Sequence, residues 1–428
     1  MIFMIQKEVL KFNAALNNKH GFAFEHLEKD LSKKGLDVTS LIKKVKLFKI
    51  AIPSWALGTG GTRFGRFPAG GEPRNLQEKI EDIGLLHALT RSSGLISLHI
   101  PWDIPKNINT ITAMMKQYDL SVDSVNSNTF QDQPTQKHSY KFGSLSHVEM
   151  AVREQAIEHN IQVIDYGEKL GANSLTLWLA DGSCFPGQQH FCNTFDFTSE
   201  SLKIIYKKMP LHWKMLVEYK PYEPNFYSMA IPDWGTAYLL AKTAGKNAKV
   251  LVDLGHHLPN TNIEQIVART MHLNMLGGFH FNGSMYGDDD LTVGAIKPYQ
   301  LFLIFNELVE AMGDKKIKNP EPAWTIDASH NVKDPLEDLL QSIEAILISY
   351  AQALIVDRKQ LHEAQKNNDV TLSQEILQDA FRTDVRPLVR EAILQKGGSL
   401  NPLGLYRQMD SREKLIKKRG KKSVATGL

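Results

Sequence analysis

Short apolar runs rich in β-branched residues alternate with longer stretches of helical periodicity between residues 46 and 331. The runs have the length and composition of buried strands, and polar residues follow them. Eight strands are predicted, at 48–55, 95–100, 120–125, 174–179, 215–220, 249–254, 276–281 and 323–327. Capping boxes at Ser146 with Glu149 and at Thr261 with Glu264 mark helix starts, as does Asp334 before Pro335.

Eight strands alternating with helices predict an α/β protein of the (β/α)8 barrel class, with an open doubly wound sheet as the competing architecture. We expect an N-terminal helical segment (1–46), the barrel (47–334), a C-terminal helical extension (335–410) and a basic tail (411–428). The glycine-rich loop 58–65 misses the dinucleotide-binding spacing, because Arg63 stands where a glycine is required. It is interpreted as a loop over the barrel mouth.

Composition predicts a soluble globular protein, with 42% hydrophobic and 23% charged residues among 428. The longest apolar run, 345–356, is interrupted by polar residues, and the first residues lack a signal-like apolar core, so we expect a cytoplasmic protein without a membrane partner. Cys184 and Cys192 are expected to be reduced thiols. The tail carries seven Lys and Arg against one acid, which predicts a solvated, poorly ordered end and not a nucleic-acid site.

The fifth predicted strand ends in the most informative pair of residues. Glu218 and Lys220 are two positions apart, so on an extended strand their side chains project to the same side. Burying both charges is costly unless a metal ion and an oxygen-rich substrate compensate them. Glu223 follows Pro221 and receives no role.

Four consecutive strands end in residue types that bind metals. Taken singly, each such residue is more often a cap, a turn former or a satisfied half-buried side chain. Together, Glu218, Asp253, His280 and Asp327 predict an oxygen-rich divalent site, because the carboxyl ends of barrel strands converge on one mouth. Three carboxylates and one imidazole suit Mn²⁺, Mg²⁺ or Co²⁺ better than a sulfur-preferring ion, and Zn²⁺ stays possible.

A second set of candidate ligands lies beside the first. It consists of His256, Asp288 and Asp290, with Glu218 bridging the two ions. His257, Asp289 and His330 flank the two sets and are expected to support them. Aromatic residues at other strand ends would pack against the C–H faces of a sugar; these are Trp55, Phe130 and Trp178.

Several motifs together resemble one family. They are EYKPYEP at 218–224, TLWLADG at 176–182, DLGHH at 253–257, FHFN at 279–282 and IDASH at 326–330. They are similar to the xylose isomerase-like barrels and, in detail, to the broad-specificity L-rhamnose isomerase family. The resemblance covers essentially the whole chain. It implies two divalent metal ions per subunit, Mn²⁺ first among them, a monosaccharide substrate and a homotetramer.

The resemblance also implies roles for individual residues. His99 and Lys220 match positions that line the sugar pocket, and they join Asp327 and Ser329 in the expected catalytic group. His99 with Asp103 is similar to the family's sugar ring-opening pair, although the spacing here is one residue longer.

The implied reaction is the interconversion of an aldose, with L-rhamnose first and D-allose as another candidate, and its ketose. Hydrogen moves between C1 and C2 either as a metal-assisted hydride shift or as a proton through an enediol, and the sequence leaves both routes open. The alternatives are a sugar epimerase, a metallohydrolase or endonuclease on the same barrel, and a non-catalytic sugar-binding protein.

Overall fold

The computed structural model describes residues 2–58, 67–318, 321–328 and 332–422, with side chains from residue 5 onward. Eight parallel strands form a closed barrel, which confirms the predicted fold class. In order around the barrel the strands are β1 (Ala51–Pro53), β2 (Leu95–Ile100), β3 (Ser121–Ser127), β4 (Ser174–Leu177), β6 (Lys214–Glu218), β8 (Ala248–Asp253), β9 (Leu276–Phe281) and β10 (Ala323–Ile326). All eight overlap the predicted strands. Two further strands, β5 (Gly182–Ser183) and β7 (Ser228–Met229), form a small antiparallel sheet that the sequence did not predict.

Strand register decides which polar residues meet at the barrel mouth. Asp253 at the end of β8 pairs with His280 on β9, and β10 continues the same ladder beside β9. On the other side of β8, Glu218 at the end of β6 pairs with Leu251. The barrel closes where Ala51 of β1 pairs with Thr325 of β10. The ends of the first and last strands are therefore neighbours.

Helices cover the barrel and extend it at both termini. Those that follow the strands are α3 (Leu76–Thr90), α4 (Ile108–Gln117), α5 (Met150–Leu170), α6 (Phe191–Lys208), α7 (Trp234–Ala244), α8 (Ile263–His272), α9 (Pro298–Gly313) and α10 (Pro335–Leu354). The N-terminal helices are α1 (Ile2–Lys33) and α2 (Val38–Leu47). The C-terminal helices are α11 (Arg358–Lys366), α12 (Val370–Arg382), α13 (Arg386–Gln395), α14 (Pro402–Gln408) and α15 (Ser411–Arg419). In the described part of the chain no single helix is long and apolar enough to cross a membrane, although α10 and α11, bent by 65°, reach that length and composition together.

The barrel strands are buried on both faces, as expected for parallel strands covered by helices. An aromatic cluster packs between the last strands and the helices outside them. In it Phe279 stacks on Phe281 with ring centroids 5.0 Å apart, and Trp324 lies 5.9 Å from Phe279. This packing fixes β9 and β10, which present two of the candidate ligands.

Of the three helix starts predicted from local patterns, the structure confirms one. Asp334 accepts a hydrogen bond from the backbone N–H of Leu336 and Pro335 occupies the first helical position, so this cap is confirmed. The two capping boxes are wrong. Helix α5 begins after Glu149, which makes no side-chain cap, and α8 is capped by Asn262 one residue beyond Thr261.

The described part of the basic tail differs from the expectation of a poorly ordered end. Residues Ser411–Arg419 form α15. Arg419 is 6% exposed and lies against α3, where its guanidinium donates to Asp82 at 2.7 Å. Its positive charge is therefore used in a buried contact, because acidic partners more than 300 positions earlier in the chain lie beneath it.

Candidate active site and metal centre

The candidate site is a cavity of about 90 Å³ at the carboxyl ends of the barrel strands. Its polar side is lined by Glu218, Lys220, His256, His280, Asp288, Asp290 and Asp327. Its other side is lined by Trp55, His99, Trp102, Asn126, Ser127, Phe130, Thr176 and Trp178. Charged, polar and aromatic residues thus line one small space.

A larger cavity of about 590 Å³ lies at the amino ends of the strands, where Leu95, Ser174, Lys214 and Ala323 line it. Barrel enzymes place their chemistry at the carboxyl ends, and conserved features at the opposite face belong to stability. The larger cavity is therefore not chosen as the candidate site. The smaller cavity is chosen because of its position and its charged lining residues.

His280 is the centre of the first group of candidate ligands. Its Nδ1 lies 3.1 Å from Oε1 of Glu218, 3.4 Å from Oδ2 of Asp327 and 3.6 Å from Oδ2 of Asp253. The residues come from β6, β8 and β9 and from the end of β10. The structure thus brings together the whole first set that the sequence indicated.

His256 is the centre of the second group. Its Nδ1 lies 3.2 Å from Oε1 of Glu218, and its Nε2 lies 3.1 Å from Oδ1 of Asp288. Asp290 is 8% exposed and lines the same cavity. Asp288 and Asp290 both adopt left-handed backbone conformations, with φ of 51° and 48°, which aspartate tolerates better than most residues. The same Oε1 of Glu218 faces both histidines, so the two groups meet at this carboxylate.

The charged residues of this site strongly affect one another's pKa values. Burial opposes ionisation of Glu218, but His280 and His256 outweigh it and lower the pKa of that carboxyl to about 2. Burial likewise opposes protonation of His256, while Asp253 and Asp288 raise the pKa of its imidazole to about 10. Burial, together with the carboxylates of Asp288 and Asp327, raises the pKa of Asp290 well above its usual range. A concentration of acidic groups this deep requires positive charge close by.

The donor set fits divalent cations. Glu218, Asp253 and His256 each offer one possible ligand atom, and these three atoms lie within 4.8 Å of one another. The same holds for Asp253, His280 and Asp327. Oδ2 of Asp253 is buried without a hydrogen-bond partner among the described residues. Carboxylate oxygens with imidazole nitrogens are the ligands that Mn²⁺ and related ions accept. Asp253 belongs to both triplets, so it joins Glu218 as a residue shared between the two groups.

Hydrogen bonds from neighbouring residues orient the candidate ligands. Trp55 Nε1 donates to Oδ1 of Asp327 at 2.8 Å, and Asn282 Nδ2 donates to Oδ1 of Asp253 at 2.8 Å. Both bonds leave the other carboxylate oxygen facing the histidine. Such partners fix the geometry of metal ligands.

Two of the flanking residues face away from the cavity. His257 Nε2 lies 2.7 Å from the hydroxyl of Tyr219, and burial lowers the pKa of its imidazole to about 4. Asp289 accepts hydrogen bonds from the backbone of its own loop, including Tyr286 N at 3.1 Å and Gly287 N at 3.1 Å. Both positions fit supporting roles. His330 and Ser329 lie outside the described residues.

Lys220 and Glu218 face the same cavity, as their spacing predicted. The ammonium of Lys220 contacts the carboxylates of Asp288 and Glu223, and it lies 5.6 Å from the ring centroid of Trp178. Glu223 received no role from the sequence, but it is buried and is one of the two carboxylates that contact Lys220. Its only signal in the sequence is its position three residues after Lys220.

The aromatic wall contains the three expected residues and one more. Phe130 and Trp178 have ring centroids 5.0 Å apart, and Trp55 lies edge-on to His99 at 5.4 Å. Trp102 lies 4.4 Å from His99 and completes the wall. The sequence showed Trp102 just beyond a strand, but nothing in its spacing separated it from an ordinary buried tryptophan. Asn126, Ser127 and Thr176 were also missed as pocket residues, although polar residues inside apolar strands were the available signal.

The expected ring-opening pair is not formed. Oδ2 of Asp103 accepts from the backbone N–H of His99 at 2.8 Å, whereas Nδ1 of the His99 ring is buried without a hydrogen-bond partner among the described residues. Asp103 is instead held by Lys79 at 2.8 Å, with both side chains buried. The assignment of Asp103 as the ring partner of His99 is therefore wrong.

His99 is a neutral pocket residue at ordinary pH. Burial lowers the pKa of its imidazole to about 3, and the nearby Asp103 only partly offsets this effect. A neutral imidazole has one N–H group and one unprotonated nitrogen, so it can donate a hydrogen bond to a ligand hydroxyl or accept one from it.

A closed parallel barrel with a buried carboxylate–histidine cluster at its carboxyl end defines the class of this protein as a (β/α)8 barrel with a candidate metal centre. A probable sugar isomerase of Rhizobium meliloti is 47% identical over 420 residues, which cover 98% of this chain and 97% of that protein. A probable sugar isomerase of Mesorhizobium japonicum is 46% identical over 97% of this chain and 96% of its own length. The chain belongs to this family of probable sugar isomerases.

Solved structures agree with the fold. The apo 3-keto-D-glucoside 4-epimerase of E. coli has a TM-score of 0.50 and 13% identity, covering 72% of this chain and 98% of its own. An L-ribulose 3-epimerase has a TM-score of 0.50 and 13% identity, covering 76% of this chain and 98% of its own. At this identity the likeness concerns the barrel alone. No family model matches the sequence.

Proposed function

We propose that this protein is an aldose–ketose isomerase acting on free monosaccharides, with L-rhamnose as the foremost substrate and D-allose as another. The observation that carries the proposal is the position of Glu218, whose Oε1 lies 3.1 Å from His280 and 3.2 Å from His256. This carboxylate joins two ligand groups in the cavity that aromatic residues also line. Membership in a family of probable sugar isomerases supports the same reaction class.

Two divalent ions, Mn²⁺ in our proposal, would be held by Glu218, Asp253, His280 and Asp327 and by Glu218, His256, Asp288 and Asp290. When bound, such ions bind sugar oxygens and polarise the carbonyl and hydroxyl at C1 and C2. The protein residues supply the rest of the chemistry.

Lys220 points its ammonium into the cavity beside Asp288. There it would stabilise negative charge that develops on a sugar oxygen during hydrogen transfer. Asp327 is one of two carboxyls in the cavity, with Asp290, whose pKa is raised; burial and the nearby Asp253 and Glu218 carboxylates raise the pKa of Asp327 to about 7 despite the opposing effect of His280. We favour a hydride shift between C1 and C2, and Asp327 would serve as the base if the reaction ran through an enediol. Ser329 remains a proposed member of the catalytic group.

The aromatic wall determines how the sugar is held. Trp55, Phe130 and Trp178 would pack against C–H groups and exclude water, while His99 would bind a hydroxyl. An epimerase inverts one carbon by using acid–base groups on opposite faces of the substrate. The isomerase is preferred because both relatives are named probable sugar isomerases.

Oligomeric state and location complete the proposal. We propose a cytoplasmic protein that forms a homotetramer. Large exposed apolar residues on the loops around the mouth, such as Phe142, Phe185 and Tyr286, offer a surface for contact between subunits. Sedimentation at several protein concentrations tests the assembly.

The function is tested by incubating Mn²⁺-loaded protein with a panel of aldoses and identifying products by NMR. Ketose formation from L-rhamnose, with kcat/KM above that for the other aldoses, is the expected result. A C3 or C4 epimer as the product would instead identify an epimerase. Solvent deuterium at the product carbon that received the hydrogen would exclude the hydride route.

A further inference from the structure

The C-terminal helix α15 is fixed to the end of the barrel that carries the site. Arg412 forms a two-pronged pair with Asp334, with Nε to Oδ2 at 2.9 Å and Nη2 to Oδ1 at 2.5 Å. Both side chains are 14% exposed. The hydroxyl of Tyr406 on α14 also donates to Oδ2 of Asp334 at 2.9 Å. Asp334 is the N-cap residue of α10. Residues of the C-terminal helices α14 and α15 therefore bind the carboxylate at the start of α10.

The same helix holds the segment that precedes α3. Arg412 Nη1 donates to the carbonyl of Gly70 at 3.1 Å, and Arg419 Nη1 donates to the carbonyl of Gly71 at 3.1 Å. The backbone N–H of Gly71 in turn donates to the carbonyl of Gly420 at 2.9 Å. A Cβ at Gly71 would lie 2.7 Å from the backbone N of Ile416, so only glycine permits this approach.

The two held segments meet beside the candidate site. A Cβ at Gly58, which follows the turn of helix that carries Trp55, would lie 2.7 Å from Cγ of Glu72 and 2.9 Å from Cγ of Pro335. Trp55 itself donates to Asp327 at 2.8 Å. The residues after β1 and the residues after β10 are therefore in contact twice, once inside the cavity and once beneath α15.

We propose that Arg412 is a positioning residue for the candidate metal ligand Asp327. In this proposal Arg412 and Arg419, with Asp334 and the carbonyls of Gly70 and Gly71, form a C-terminal clamp. The clamp holds Gly70 and Gly71 close to Asp334. Because Gly58 lies against Glu72 and Pro335, which follow these residues, the clamp also keeps the geometry of the Trp55–Asp327 hydrogen bond. Its catalytic consequence rests on the proposed function, whereas its structural consequence does not.

The chain offers a matched control. Arg407 on α14 forms the same kind of two-pronged pair with Glu337 on α10, with both bonds at 2.6 Å. That pair joins the same two regions of the fold, but its arginine is 65% exposed and contacts neither glycine carbonyl in the described structure. Arg407→Ala and Arg412→Ala therefore both remove an ion pair between the C-terminal helices and α10. Only Arg412→Ala also removes the clamp.

The test records the indole N–H resonance of Trp55 in full-length protein labelled with ¹⁵N-tryptophan, assigned with Trp55→Phe. Arg412→Ala is expected to shift or broaden this resonance and to raise the Mn²⁺ dissociation constant about tenfold, with a parallel loss in kcat/KM. Arg407→Ala is expected to leave all three unchanged. Arg412→Lys keeps the charge but not the planar fork, so it should restore the values partly.

A wild-type Trp55 resonance in folded Arg412→Ala would overturn the proposal. If Arg412→Ala does not fold, Arg412→Gln, which removes both the charge and the fork but keeps part of the side-chain volume, decides the question by the same resonance, and identity with wild type would again refute the clamp. If the wild-type protein binds no Mn²⁺ or converts no aldose, the proposed function fails, and the indole resonance alone still decides the clamp.

Discussion

The indole Nε1 of Trp55 donates a 2.8 Å hydrogen bond to Oδ1 of Asp327, and this bond joins the first strand end of the barrel to the last. It leaves Oδ2 of Asp327 directed at His280, 3.4 Å away. An aromatic residue of the proposed sugar wall thereby orients a candidate metal ligand. The two walls of the cavity are not independent.

Trp55→Phe should separate the two contributions of this residue. Phenylalanine keeps an apolar ring at the wall and removes only the N–H donor, so Asp327 loses its orienting bond. We expect Mn²⁺ affinity and kcat/KM to fall about tenfold, measured by titration calorimetry and by steady-state kinetics. Trp102→Phe is the control, because Trp102 lies in the same wall against His99. Equal losses of Mn²⁺ affinity in the two variants would argue against the orienting role.

Glu218→Gln tests whether one carboxylate serves both metal groups. The amide keeps the volume of the side chain but removes the charge that faces His256 and His280. We expect loss of both ions in elemental analysis and activity below about 1% of wild type, an energetic effect of roughly 3 kcal/mol. A variant that retained one full equivalent of metal would show that Glu218 belongs to a single site.

Glu223→Gln is the matched comparison for Glu218→Gln. Glu223 pairs with Lys220 and belongs to neither ligand triplet among the described residues. We therefore expect wild-type metal content with a lower kcat, because Lys220 loses one of the two carboxylates that orient it. Metal loss in this variant would instead place Glu223 in the metal centre.

Much of this site could be predicted from the sequence. Strand ends of a parallel barrel meet at one mouth, so polar residues such as Asp253 and His280 after apolar runs are expected to be neighbours. Their register pairing bears this out. The argument needs only local composition and the topology of the fold.

The parts that sequence reasoning missed depend on side-chain direction and on distant contacts. Asp103 follows His99 at a suggestive spacing, yet its carboxylate turns toward a backbone N–H and toward Lys79. Arg412 looked like one charge in a solvated tail, whereas its partner Asp334 lies 78 positions earlier in the chain. Neither outcome follows from period or composition, since both depend on how elements distant in the sequence pack.

The contribution of His87 on α3 to protein stability should fall as pH decreases from 7 to 5, and this residue is remote from the site. Burial, followed by the charge of Arg91, lowers the pKa of this imidazole to about 4. The unfolded chain takes up a proton near pH 6.5, so it binds more protons than the native state between these values, and acid favours unfolding.

We expect His87 to contribute a loss of about 2 kcal/mol in the free energy of unfolding between pH 7 and pH 5. Urea unfolding of wild type and His87→Gln at both pH values measures it, and the variant should lose correspondingly less stability on acidification. The same pH dependence in both proteins would contradict neutral burial of His87.

Metal removal should lower thermal stability through the site itself. The carboxylates of Asp288, Asp327 and Asp253 lie close enough to the buried Asp290 to raise its pKa. Ions that bind only the native state stabilise it by mass action, by about 2.7 kcal/mol at a hundredfold excess over Kd. Treatment with a chelator is therefore expected to lower the melting temperature by several degrees, and added Mn²⁺ should restore it in proportion to the logarithm of its concentration. Glu218→Gln supplies the control, because it should be insensitive to both treatments. A melting temperature that is identical in chelated and Mn²⁺-loaded wild type would show that the acidic cluster does not bind the ion.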